Sequence, residues 1–179
     1  SGGQYTEVHN NTVENNNVQN FAPPGFTVAA VPRGTGMILA ASKSAEIHHN
    51  TITGHVSTGI AIASIFIIDD DYEDEVYDPY VQGSYVYENT LVDNGTDPRD
   101  LFMGVALMIN GGEPGPMPQI IWDGYVNPEW DNSNGDYTHC IVNNGDSDFL
   151  NCDWENQFAN TSTDLSPHDC TRETLAPVE

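Results

Sequence analysis

The chain has 179 residues, with 27 Asp and Glu against 4 Lys and Arg, giving a formal net charge of −23. Four cations cannot build the basic footprint that nucleic acid or an anionic membrane surface requires, so both classes of partner are excluded. The length suits one domain. A 38% hydrophobic content allows folding, while the charge approaches that of disordered chains, so patterning must decide.

In chain order, the first element is a short strand ending at an asparagine. The segment EVHNNTV at 7–13 aligns with EIHHNTI at 46–52 and with YVYENTL at 85–91. The shared asparagines are Asn11, Asn50 and Asn89, spaced by 39 both times. A second strand type interleaves, GMILAAS at 36–42 and GIAIAS at 59–64, with GVALMI at 104–109 as an expected third copy. Fixed periods of this size mark repeat architectures. Each segment alternates apolar with small or polar residues between turn formers, the signature of a short strand. Stacked in parallel, the repeats place Val8, Ile47 and Val86 in one inward column and Val13, Ile52 and Leu91 in another. The asparagines then form a ladder, each side chain bonding its neighbours at a backbone corner.

These repeats resemble right-handed parallel β-helix proteins. The expected fold is therefore all-β, a parallel β-helix of about four turns over 1–118, with loop insertions at 14–35 and 67–84. Residues 119–179 are expected to form a distorted last turn and a cap, with short strands near 120–122, 140–142 and 148–150. NFAPPG at 20–25, VPRGTG at 31–36, WDG at 122–124, NNGDSDF at 143–149 and HDC at 168–170 sharpen the match. They resemble one family of secreted β-helix proteins, commonly encoded beside, or fused to, a c-type cytochrome-like protein. That resemblance implies secretion and a cytochrome-like partner, and it implies that this chain is the C-terminal half of a longer protein. It supplies no catalytic residue.

Cys140, Cys152 and Cys170 fall in the last quarter and form no CxxC motif. By composition they are one disulfide staple plus a free thiol, or three buried thiols. The family resemblance implies Cys140–Cys170.

Two groups of candidate metal ligands stand out. Asp69, Asp70, Asp71, Asp74 and Glu75 form the densest acidic run, a candidate Ca²⁺ loop that lacks the EF-hand glycine and spacing. NNGDSD at 143–148 is a shorter oxygen-rich stretch, read as a turn or as a second calcium loop. His9 and His48 share a register, followed by Tyr87, and two in-register imidazoles lie close enough to share a transition metal. His49 and His55 are near in sequence. The column points outward, so surface histidines beside a ladder are the plainer reading.

No catalytic constellation emerges. Lys43, Arg33, Arg99 and Arg172 are too scattered for a lyase site, and among 27 acids a hydrolase pair arises by chance. The expected function is a non-catalytic secreted module for protein assembly. A first turn with open strand edges needs missing sequence, a second copy or a partner to cover it. A carbohydrate-active or carbohydrate-binding β-helix is the competing reading, for which one face lined by aromatics and carboxylates is expected, with Tyr72, Tyr77, Tyr80, Tyr85 and Tyr87 as the nearest cluster. A redox metal-binding protein that uses the histidine column is the third. No apolar run reaches membrane-spanning length. A charge of −23 points to a saline extracellular setting, where salt screens the repulsion.

Overall fold

A computed structural model describes residues 3–69, 72–73 and 76–176. The chain forms parallel sheets with little helix. The repeat segments become strands β1 (Glu7–His9), β2 (Thr12–Glu14), β3 (Thr35–Ala40), β4 (Glu46–His48), β5 (Thr51–Thr53) and β6 (Thr58–Ala63). They are followed by β7 (Tyr85–Tyr87), β8 (Thr90–Val92), helix α1 (Leu101–Ile109), β9 (Ile120–Trp122), β10 (Cys140–Val142) and β11 (Phe149–Asn151).

The strands sort into three sheets, β1-β4-β7-β10, β2-β5-β8 and β3-β6-β9-β11, and every pairing within them is parallel. The chain visits the three sheets in rotation from β1 to β8. The 39-residue spacing becomes register: Val8 stands opposite Ile47, which stands opposite Val86 and then Ile141. Val13, Ile52 and Leu91 form the second column. Met37, Ile60, Ile120 and Phe149 form the third. All three columns meet in one core. Close approach inside that core requires glycine: a Cβ on Gly36 would lie 2.5 Å from the Gly59 carbonyl.

Two corners repeat with the same period. Asn10, His49, Glu88 and Asn143 all take positive φ, and each precedes a ladder asparagine. Left-handed backbone costs an L-residue about 1–2 kcal/mol, so the ladder bonds that follow must hold it. Asn11 donates its backbone and side-chain N–H groups to Asn50 Oδ1, both at 3.0 Å, and Asn50 does the same to Asn89 at 3.1 and 3.0 Å. The second corner uses Asn15, Gly54 and Asp93 at positive φ, followed by Asn16, His55 and Asn94.

One expected strand is a helix. GVALMI at 104–109 lies within α1, and the third strand of that sheet is β9. Phe102, Val105, Ala106 and Ile109 recur at helical spacing and cover the outer face of the sheet, where Ile38, Ala61, Ile121 and Leu150 point. A helix satisfies its own backbone polar groups while burying one apolar stripe, which a lone strand lying across a finished sheet does not.

The expected strands at 120–122, 140–142 and 148–150 are present, the last shifted by one residue to 149–151. A disulfide joins Cys140 of β10 to Cys170 of the C-terminal segment, and Cys152 is free and buried. No helix among the described residues is long and apolar enough to cross a membrane.

Candidate functional site

The two ends of the stacked sheets differ. At the far end, the chain beyond β11 folds back, bridging Asn151 to Ser162 and delivering Cys170 to β10. At the near end, β1, β2 and β3 are the outermost strands of their sheets, and their outer edges pair with no strand among the described residues. Burial falls along each column toward this end. Ile47, Ile52, Ile60, Val86 and Ile120 are almost fully buried, whereas Val8, Val13 and Met37 are only partly covered. The loop between β2 and β3 adds Val18, Phe21, Phe26 and Val28 as exposed apolar side chains.

The outward histidine column sits at the same end. Parallel register stacks His9 on His48, with ring centroids 5.1 Å apart and planes 3° apart, and His48 on Tyr87 at 4.7 Å. Glu7, two residues before His9 on the same strand face, puts its carboxylate 2.9 Å from His48 Nε2. Ligand atoms of Glu7, His9 and His48 all lie within 4.8 Å of one another. His49 turns across the corner, with its Nδ1 2.7 Å from His48 Nδ1 and its Nε2 3.0 Å from Glu88.

The sequence therefore brings His9 and His48 together as expected, and the structure adds Glu7. The glutamate was legible from the strand period, since residues i and i+2 share a face. His55 is not part of this cluster. It is fully buried, accepts the Asn16 N–H on Nδ1 and donates Nε2–H to the Val13 carbonyl, so it replaces an asparagine in the second ladder. Burial lowers its pKa, the favourable bond to Val13 notwithstanding.

The candidate calcium loop falls mostly outside the described residues. Asp69 follows a short 3₁₀ turn, and Asp70, Asp71, Asp74 and Glu75 lie outside the described residues. In NNGDSD, Asn144 is a ladder rung and Asp148 accepts the Gln119 N–H at 2.7 Å, so a structural role occupies both. The five tyrosines fall into three separate ring contacts. Tyr85 stacks on Tyr87, Tyr72 meets Tyr77, and Tyr80 packs against Phe66 and Trp130.

A second feature escaped the sequence. A cleft of about 330 Å³ is walled by Trp122, Tyr125, Trp130 and Tyr137, and the Trp122 Nε1–H is buried with no hydrogen-bond partner. At its floor are His139 and His168. Burial, with the neighbouring His168 and Arg172, pushes His139 down to about 3, and burial also lowers His168.

No family model matches the chain, and no curated protein or solved structure is significantly similar to it.

Proposed function

We propose that this chain is a right-handed parallel β-helix of about four turns that serves as a non-catalytic, secreted assembly module, docking a protein partner on its uncovered end. The observation that carries this reading is the asymmetry of the ends. One end is folded over and stapled by Cys140–Cys170. The other presents three strand edges that pair with no strand among the described residues, over half-buried Val8, Val13 and Met37. Such an edge is a template for strand addition, and main-chain hydrogen bonds with an apolar column beneath them supply the affinity. The disulfide supports an oxidising compartment. The family resemblance supplies one specific partner, a c-type cytochrome-like protein.

The test is solution mass by light scattering, with and without the proteins that co-purify in a native preparation. A complex or self-association that disappears in a Val8→Lys, Val13→Lys double variant with unchanged circular dichroism is the expected result. A monomer that co-purifies with no other protein sinks the reading.

The Trp122–Trp130 cleft favours a second reading, carbohydrate binding. Aromatic faces stack on sugar rings, and the unpartnered indole N–H is a donor for a hydroxyl. A glycan array run with and without Ca²⁺, on the parent chain and on Trp130→Ala, decides it. Binding lost in Trp130→Ala supports this reading, and no binding removes it.

A further inference from the structure

The geometry of the histidine cluster leads to a metal. Glu88, His49, His48 and Glu7 form a chain of three short contacts: 3.0 Å from Glu88 to His49 Nε2, 2.7 Å from His49 Nδ1 to His48 Nδ1, and 2.9 Å from His48 Nε2 to Glu7. On the outer side of this chain His9 stacks on His48, held there by the parallel register of the two strands. Two imidazoles and one carboxylate, from His9, His48 and Glu7, thus converge with their ligand atoms all within 4.8 Å of one another.

We infer that a divalent first-row transition ion of the zinc or copper type binds between Glu7, His9 and His48, standing between His48 Nε2 and the Glu7 carboxylate. Neutral His48 in its Nδ1–H tautomer donates that hydrogen to His49 Nδ1 and offers its Nε2 lone pair to the ion, while His49 carries its own proton on Nε2, facing Glu88. That is the tautomer that Nε2 ligation requires, and the outer partners fix it as they do at metal sites generally. His9 Nδ1 is occupied by the Asn10 carboxamide at 2.7 Å, which leaves Nε2 for the ion.

The donor set excludes the competing class of ion. Two imidazoles and one carboxylate suit zinc, copper or nickel, whereas calcium takes six to eight oxygens. Three protein ligands leave the coordination open for water or a partner's donor. The mutual spacing within 4.8 Å needs only side-chain rotation to close on an ion with bonds of about 2.0–2.2 Å. The stacked geometry comes from the backbone register, so the site is built by the repeat. It stands whether or not the end of the molecule takes a partner.

The experiment is calorimetric titration of the intact, chelator-stripped chain with Zn²⁺. A companion titration with Co²⁺ is followed in the visible spectrum. One Zn²⁺ per chain is expected, with the His48 Nε2 resonance shifting on binding. His9→Ala and Glu7→Gln lie at the outer strand, where folding tolerates change. Each should weaken binding by at least about tenfold, as should His48→Ala, and His49→Ala should weaken it to a lesser degree. Absence of stoichiometric binding overturns the site. Stoichiometric binding that survives a His9→Ala, His48→Ala double variant also overturns it, because the ion then rests on the acidic surface instead.

Discussion

Asn144 Oδ1 accepts two hydrogen bonds from Asn89, one from the backbone N–H at 3.1 Å and one from the side chain at 2.9 Å, across 55 residues of sequence. Asn144 in turn donates to the Val86 and Val142 carbonyls. The ladder thus has four rungs, Asn11, Asn50, Asn89 and Asn144, and each rung fixes the left-handed residue before it.

The ladder predicts a graded response to alanine. Asn89→Ala strands the Asn50 N–H and the Ile47 and Tyr87 carbonyls in a buried setting. With each orphaned group costing about 1–3 kcal/mol, the loss should reach roughly 3 kcal/mol or more. Asn11→Ala, on the outermost and exposed rung, should cost less than about 1 kcal/mol. Urea unfolding of the two variants measures the contrast, and equal losses would mean that the ladder contributes little.

Much of this was legible beforehand. The 39-residue period placed Glu7, Glu46 and Tyr85 in register, along with Asn11, Asn50 and Asn89, because stacking turns sequence spacing into geometry. Asn144 was missed as a rung because α1 and the loop after β9 lengthen the last interval. The second ladder was present at the same spacing, but His55 broke the pattern of residue types. GVALMI failed as a strand because composition was matched before periodicity. Phe102, Val105, Ala106 and Ile109 already had helical spacing. The Glu7–His9–His48 site was half visible: register gave the histidines, and only side-chain placement gave the 2.9 Å contact from Glu7 to His48.

The packing of α1 can be tested through Ala61. Its side chain is buried in the same apolar cluster as Val105 and Ala106. Ala61→Leu should destabilise by about 1–3 kcal/mol through overpacking. Val105→Asp should cost more, since it buries a carboxylate without a partner. Thermal unfolding of both variants checks the order.

Acid should destabilise the fold through its buried histidines. His139 falls from an ordinary 6.5 to about 3, so between those values the unfolded chain binds a proton that the folded chain does not. Stability is complete above about pH 6.5 and drains away as pH falls toward 3. From pH 7 to 4.5 this residue accounts for roughly 3 kcal/mol of loss. His55 and His168, also lowered, add in the same direction. Asp123 opposes them. Burial raises it to about 6, against bonds from Ser64 and Tyr125 that favour the charge, so its contribution recovers as pH falls from 6 toward 3.8. Denaturant titrations at pH 7 and 4.5 on His139→Gln should show a flatter acid limb than the parent. An unchanged limb counts against neutral burial of His139.

Reducing Cys140–Cys170 opens a loop of 30 residues. Chain entropy values that constraint at about 3–4 kcal/mol, which for a domain of this size is roughly 10 °C in Tm. Differential scanning calorimetry with and without reductant measures it. Cys152 should react with neither reagent nor partner thiol in the folded state, because burial, aided by Asp123, pushes its thiol up to about 12.

Salt should stabilise the chain. With a net charge of −23, carboxylate repulsion is screened within about 8 Å at physiological ionic strength and over shorter distances in brine. Tm should rise between 10 mM and 1 M NaCl, and an indifferent Tm would remove the case for a saline setting.

The unequal intervals between rungs carry a consequence for engineering. The chain passes from Asn50 to Asn89 in 39 residues and from Asn89 to Asn144 in 55, yet the hydrogen-bond pattern is the same at both steps. Register is therefore indifferent to how much polypeptide is spliced between corners. The tip near Gly135, at positive φ with nothing within 4 Å of where a Cβ would stand, is a natural graft point for a reporter or an affinity tag. A foreign domain carried there should leave every rung where it is.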